Sequence, residues 1–286
     1  MTQMKGHSNE CNSCSRAGSC KEQNKENECP SGRMARIKHK IIIASGKGRV
    51  GKSTVSVNLA WALKKMGHHV GLLDADITGP NIPKLMGIED LRLRSGQDGI
   101  EPADAGGIKV VSMALVLSRQ DSAVVWRGPM KMAAIKQFLQ DVNWGDLDFL
   151  LIDLPPGTSD EPLSVLQLIP DLTGAIIVTT PQEVSVLDSQ KAVNMMKSMK
   201  LRVLGVVENM SGLVCPHCKE SINIFSLGGG QRMAEEMDVP FLGAIPIDPE
   251  VCESGDRGEA FMERDIPAGR SFLQIVHNLL QAVQEN

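Results

Sequence analysis

Short aliphatic runs alternate along most of the chain with stretches whose apolar residues recur at helical spacing. Ile41-Ile42-Ile43-Ala44 is followed by a glycine-rich turn and predicts a buried parallel strand. Ser53 to Lys65 carries Val57, Leu59, Ala60 and Leu63 at helical intervals and predicts a helix. Val70–Leu73 and Val110–Met113 predict the second and third strands; Phe149–Ile152, Ala175–Thr179 and Val203–Val207 predict later ones. Helices are expected over Lys131–Gln140, Pro162–Leu168, Ser185–Met199, Gly230–Met237 and Ser271–Gln284. Strands alternating with helices imply an α/β fold, a mostly parallel sheet flanked by helices on both faces.

Residues 1–37 break this pattern. They are rich in Asn, Ser, Glu and Lys and almost devoid of aliphatic side chains, too polar to order themselves by burial. Yet this segment holds Cys11, Cys14, Cys20 and Cys29, four of the seven cysteines. A bound metal or cluster would supply the folding energy that the composition lacks. The expected organisation is therefore a flexible, Cys-rich metal-binding segment over 1–37 and one α/β domain over 38–286.

Composition narrows the field. A chain of 286 residues with 42 % hydrophobic and 22 % charged residues is that of a globular protein with a substantial core. A net charge of −4 leans against nucleic acid as a partner. So does an aromatic content of 3 %, without a tyrosine, since stacking platforms for single strands need clustered aromatics. No apolar run is long enough to span a bilayer, and the first ten residues lack the apolar stretch of a secretory signal. The expected location is the cytoplasm, with no membrane partner. Cysteines kept reduced there read as metal ligands or redox groups before disulfides.

Gly46-Lys47-Gly48-Arg49-Val50-Gly51-Lys52-Ser53 fits G-x-x-x-x-G-K-S/T, directly after a predicted strand and before a predicted helix. Glycines let the backbone turn its N–H groups toward phosphates, and the helix N-terminus adds positive potential. Lys52 is expected to reach the β- and γ-phosphates of ATP, with Ser53 on Mg²⁺ and Thr54 beside it. The second lysine, Lys47, resembles the deviant P-loop of the ATPase group that includes nitrogenase iron protein and MinD. That resemblance implies that Lys47 reaches a partner's nucleotide across a dimer. Arg49 stands where those relatives usually have glycine, which puts the rate of turnover in question. Asp153 ends a hydrophobic strand as a Walker B carboxylate does and is expected on the Mg²⁺ side. Asp76, after the second strand, is expected to orient the attacking water or hold Mg²⁺.

Cys215-Pro216-His217-Cys218 offers two thiolates to one metal centre, half of a four-ligand site. A two-fold symmetric dimer would supply the other half. A zinc knuckle and a redox dithiol are the alternatives. Cys11, Cys14, Cys20 and Cys29 suffice for an iron–sulfur cluster or for zinc, and spacing does not choose between them. Cys252 reads as a small, partly buried residue without a metal role.

With these residues in view, residues 38–286 resemble the Mrp/Nbp35 (ApbC-like) family of iron–sulfur cluster carrier P-loop ATPases. The resemblance rests on Gly46–Thr54, Asp74 to Pro80, Ile152 to Glu161, Glu208-Asn209-Met210-Ser211, the C-P-x-C of Cys215–Cys218, and Ile245 to Pro249. It implies a homodimer that holds a labile 4Fe-4S cluster between paired Cys215 and Cys218 and passes it to apo-proteins. It also implies adenine recognition by Asn209, a late nucleotide-side loop with Pro246 and Asp248, and a second N-terminal 4Fe-4S cluster on Cys11, Cys14 and Cys20, with Cys29 as candidate fourth ligand. Two other readings are a MinD- or ParA-like positioning ATPase and a zinc-stabilised regulatory ATPase. The first would want a basic C-terminal helix. Ser271 to Asn286 has no Lys or Arg and reads instead as a core-packing helix.

Overall fold

The computed structural model describes residues 30–96, 99–117, 126–215, 218 and 220–285. The chain opens with α1 (Pro30–Ala35), β1 (Ile37–Ala44) and α2 (Lys52–Lys65), followed by β2 (Val70–Asp74) and the short α3 (Ile82–Leu85). Four short strands come next: β3 (Arg94–Gly96), β4 (Gly99–Glu101), β5 (Ala103–Ala105) and β6 (Ile108–Val111). The regular alternation resumes with α4 (Gly128–Gln140), β7 (Leu147–Asp153), α5 (Asp160–Leu168), β8 (Gly174–Thr179) and α6 (Glu183–Ser198). The last part holds β9 (Val203–Val214), β10 (Ser221–Ile222), α7 (Gly229–Glu236), β11 (Phe241–Ile247), α8 (Pro249–Arg257) and α9 (Pro267–Gln284).

Among the described residues the main sheet has nine strands in the order β10-β9-β8-β1-β7-β2-β6-β5, with β11 also paired to β9. All pairs are parallel except β5–β6 and β9–β10 at its ends. Side chains alternate across a strand, so β1 feeds two cores at once. Ile41 and Ile43 join Leu59, Leu63 and Phe272 on the face covered by α2 and α9. Ile42 and Ala44 join Phe138, Val193 and Met196 under α4 and α6. The mostly parallel sheet flanked on both faces is thus the expected one.

Differences from the expected elements have local causes. Met113 does not extend the third strand; it begins a 3₁₀ turn over Met113–Leu115 that is capped by the Ser112 hydroxyl. The strand expected to stop at Val207 continues to Val214, because its polar residues Glu208 and Asn209 are buried by specific partners. Phe241–Ile247 is a strand and Pro249–Arg257 a helix where no element was expected. Residues 30–37 pack on the domain, with Met34 and Ile37 in its core, so the folded unit begins before residue 38. Helix α9 is core-packing as expected: Phe272, Ile275, Val276 and Leu279 are buried against β11 and its neighbours. No described helix is long and apolar enough to cross a membrane.

The central strands stand in register at their carboxyl ends, Ile43 beside Asp153 and Asp153 beside Asp74. Three loops therefore leave the sheet side by side. In open α/β sheets this edge is where ligands bind.

Candidate functional site

The loop between β1 and α2 is the predicted phosphate loop. Gly46 lies so close to α6 that a β-carbon there would sit 2.1 Å from the Asp188 backbone carbon. Gly51 caps α2 in the left-handed region at φ 85°, and a β-carbon there would strike the Asn209 amide at 2.1 Å. Both positions accept only glycine without local rearrangement. Arg49 also adopts a left-handed backbone, φ 65°, although it carries a side chain. Glycine would adopt that angle without the steric cost that a β-carbon brings.

A cleft of about 340 Å³ opens at this loop, lined by Gly48, Arg49, Lys52, Ser53, Asp76 and Pro156 among others. At its floor, the Lys52 ammonium lies 2.7 Å from Asp153 Oδ2, with both side chains buried. Ser53 Oγ donates to the same oxygen at 2.7 Å. Ser56 Oγ, one turn further along α2, donates to Asp153 Oδ1 at 2.5 Å. Asp153 is thus fully engaged by the P-loop helix, and the predicted Lys52, Ser53 and Asp153 are brought together. A hydroxyl and carboxylates beside the phosphate loop are hard oxygen donors, the set that suits Mg²⁺ completed by phosphate and water.

Asp74, beside Asp153 in the sheet, is buried and receives hydrogen bonds from Ser112 Oγ at 2.9 Å and the Asp76 amide at 3.2 Å. Burial, reinforced by the Asp153 charge, raises its carboxyl to a pKa of about 8. Asp76 is half-buried on the cleft wall, its Oδ1 accepting from the Gly79 amide at 3.1 Å. Sequence reasoning singled out Asp76 and passed over Asp74, Ser56 and Ser112. The first aspartate of Asp74-Ala75-Asp76 was a signal within reach. The spacing of Ser53 and Ser56 on one helical face was another.

Lys47 is half-buried, and its carbonyl accepts from Ser45 Oγ at 2.9 Å. Asn209, predicted beside adenine, is buried and donates from Nδ2 to the Val50 carbonyl at 2.9 Å, so it seats directly on the phosphate loop. Pro246 lies near the end of β11 and Asp248 just after it, and Ile245 of that strand stands in register with Asn209. Pro246 borders a separate cavity of about 420 Å³ with Glu208 and Phe241. Asp248 caps α8, accepting from the Glu250 amide at 3.1 Å.

The strand that carries Asn209 also carries the cysteine motif. Beyond Asn209, β9 bulges: Met210 and Gly212 are left-handed, at φ 59° and 71°, and the register with β11 shifts. It then turns into a hairpin with β10, Leu213 opposite Ile222, closed by the Cys215 amide donating to the Glu220 carbonyl at 2.9 Å. Cys215 is half-buried and Cys218 exposed, its Sγ 3.8 Å from Glu220 Oε2. Among the described residues no group of three or more His, Cys, Asp and Glu is placed to hold a metal, so the hairpin presents two thiols. Exposed apolar residues flank them: Ile222, Ile224 and Leu227. Cys11, Cys14, Cys20 and Cys29, the predicted N-terminal ligands, lie outside the described residues. Cys252 is exposed on α8, and the buried residue of that helix is Ser254; the expectation of partial burial fails because the helix turns position 252 to solvent.

The family described as NUBPL iron-transfer P-loop NTPase, of the ParA group, matches residues 36–280. The chain is 52 % identical over 252 residues to the iron-sulfur cluster carrier protein of Methanocaldococcus jannaschii, covering 88 % of this chain and 87 % of that one. It is 48 % identical over 233 residues to the cytosolic Fe-S cluster assembly factor CFD1 of Saccharomyces cerevisiae, 78 % and 79 % of the two chains. Among solved structures, a nucleotide-binding protein of Archaeoglobus fulgidus in complex with ADP matches with TM-score 0.73 at 40 % identity, over 82 % of this chain and 92 % of that one. The septum site-determining protein MinD of Pyrococcus horikoshii with Mg-ADP matches with TM-score 0.61 at 25 % identity, over 85 % and 96 %.

Proposed function

Since this chain belongs to the NUBPL iron-transfer P-loop NTPase family, we propose that it binds and hydrolyses ATP and carries a 4Fe-4S cluster that it delivers to apo-proteins. One observation carries the reading: β9 seats Asn209 on the phosphate loop and, past its bulge, presents Cys215 and Cys218 on a hairpin. Nucleotide and thiols thus share one strand.

ATP lays its phosphates along the backbone N–H groups of Gly46–Ser53, at the N-terminus of α2. Lys52 transfers its charge from Asp153 to the β- and γ-phosphates, and Ser53, Asp153 and Asp76 are the residues that would hold Mg²⁺. The ion supplies neutralisation of phosphate charge when bound. Asp76, on the cleft wall, orients the attacking water. Lys47 reaches the nucleotide of a second subunit, so ATP favours the closed dimer.

The cluster is cargo. Four thiolates satisfy it, two from each hairpin of a homodimer, and the exposed Ile222, Ile224 and Leu227 give that dimer an apolar contact surface. ATP binding and hydrolysis change the dimer geometry and so gate cluster loading and release. Cys11, Cys14, Cys20 and Cys29 hold a second cluster in the N-terminal segment. The cytosol, where thiols stay reduced, suits this chemistry.

The test is transfer from anaerobically iron- and sulfide-loaded protein to an apo 4Fe-4S enzyme, read as recovered activity. The unmodified protein should restore activity and the Cys215→Ser/Cys218→Ser variant should not. Equal restoration by both would overturn the assignment of the hairpin thiols.

A further inference from the structure

Asp76 lines the cleft from the loop after β2, Asp153 ends β7 where the next loop begins, and one side chain joins these two loops. Lys131, near the start of α4, donates from Nζ to Thr78 Oγ1 at 2.8 Å and to Glu161 Oε1. Thr78 belongs to the loop after β2, in which the Gly79 amide holds the Asp76 carboxylate. Glu161 lies in the first turn of α5, where the loop after Asp153 ends. That second loop is itself anchored to the base of the phosphate loop by the Gly157 amide donating to the Ser45 carbonyl at 2.9 Å.

The Lys131 side chain is only 15 % exposed and that of Glu161 31 %. A single ammonium spanning two loops in this partly desolvated place is more than a surface ion pair, whose two partners would be free to separate. Neither Thr78 nor Glu161 is among the residues that line the cleft. Its two bonds set where the two loops stand relative to each other.

We propose that Lys131 is a positioning residue that clamps the Asp76 loop to the Asp153 loop, so that the water-orienting and Mg²⁺-side carboxylates keep one geometry through the ATPase cycle. This rests on the ATPase reading above. Alignment at a reacting centre is sensitive: a displacement of about 1 Å costs on the order of a hundredfold in rate. Binding of the nucleotide, which depends on the phosphate loop and Asn209, does not need the clamp.

The experiment compares Lys131→Met, Lys131→Arg, Thr78→Val and Glu161→Gln with the unmodified chain in ATP turnover, ATP affinity and hydrogen exchange. Lys131→Met should lower kcat about tenfold or more, by displacing the loops. ATP affinity should stay within about threefold, because the phosphate contacts are intact. Lys131→Arg should recover part of the rate, and Lys131→Met/Glu161→Gln should be no slower than Lys131→Met, as expected of groups acting as one unit. Exchange should rise in both 76–81 and 154–161 in the Met variant and in the Thr78→Val and Glu161→Gln variants, which each cut one arm. Unchanged kcat with unchanged exchange overturns the clamp, and so does a kcat loss without a rise in exchange in either loop. If the unmodified protein hydrolyses no ATP, the ATPase reading fails, and exchange in the two loops then decides the clamp by itself.

Discussion

Replacing Arg49 by glycine should stabilise the protein slightly. Arg49 sits at φ 65°, where a side-chain-bearing residue costs about 1–2 kcal/mol relative to glycine. Against that relief stands the extra freedom that glycine gives the unfolded chain, about 0.5–1 kcal/mol. The guanidinium is exposed along the cleft, so its removal uncovers no core. The net expectation is a gain of about 0.5–1 kcal/mol, or a rise of about 1–3 °C in Tm for a chain of this size. Arg49→Ala is the informative partner, because it removes the same charge and keeps the strained angle. Thermal unfolding followed by circular dichroism without nucleotide should rank Arg49→Gly highest, with Arg49→Ala about 1–3 °C below it. Equal melting of the two variants, or a marked loss in Arg49→Gly, would refute the idea that the backbone angle is the source of the cost.

Asp74→Asn tests the buried carboxyl. With a folded pKa raised to about 8 from 3.8, the native state holds a proton that the unfolded chain has released across that interval, so stability should fall as pH rises through it. Urea midpoints at pH 5 and 7.5 should show a slope shallower in Asp74→Asn by up to about 1.4 kcal/mol per pH unit, and parallel profiles would contradict it. Gly46→Ala drives a β-carbon to 2.1 Å from the Asp188 backbone. It should abolish ATP binding in a fluorescent-nucleotide titration or prevent folding, and retained affinity would refute the close packing. Ser56→Ala strips Asp153 of a 2.5 Å hydrogen bond in a buried place. Chemical denaturation should report a loss of about 1.5–3 kcal/mol, the range for hydrogen bonds to charged groups.

What could be foreseen follows the physics of each element. The C-terminal halves of β1 and β7 and most of β8 are continuous apolar runs because both their faces are buried, and such runs announce themselves. The phosphate loop was equally visible, since its glycines answer to backbone constraints that Gly46 and Gly51 display. Helix α4 begins before Lys131 because Pro129 fits a first turn, a signal that helical periodicity does not register. Strand β9 runs past Val207 although Glu208 and Asn209 look like loop residues. Their burial depends on partners distant in the chain, Gly228 and Gly230 amides for Glu208 and the Val50 carbonyl for Asn209. Strand β3, with every side chain exposed, has no hydrophobic alternation to find. The Lys131 bridge was invisible for a related reason. Its three members come from separate elements, and no spacing pattern relates them.

The proposed function has paired hairpin thiols hold an iron–sulfur cluster between two copies of the chain. The most direct measurement is iron, zinc and acid-labile sulfide content, with molecular mass in solution, on anaerobically reconstituted protein beside the Cys215→Ser/Cys218→Ser variant. The protein should be a dimer whose iron and sulfide fall by about four each per dimer in the variant, the N-terminal cluster being retained. Zinc without sulfide, or iron and sulfide unchanged by loss of both thiols, would contradict it.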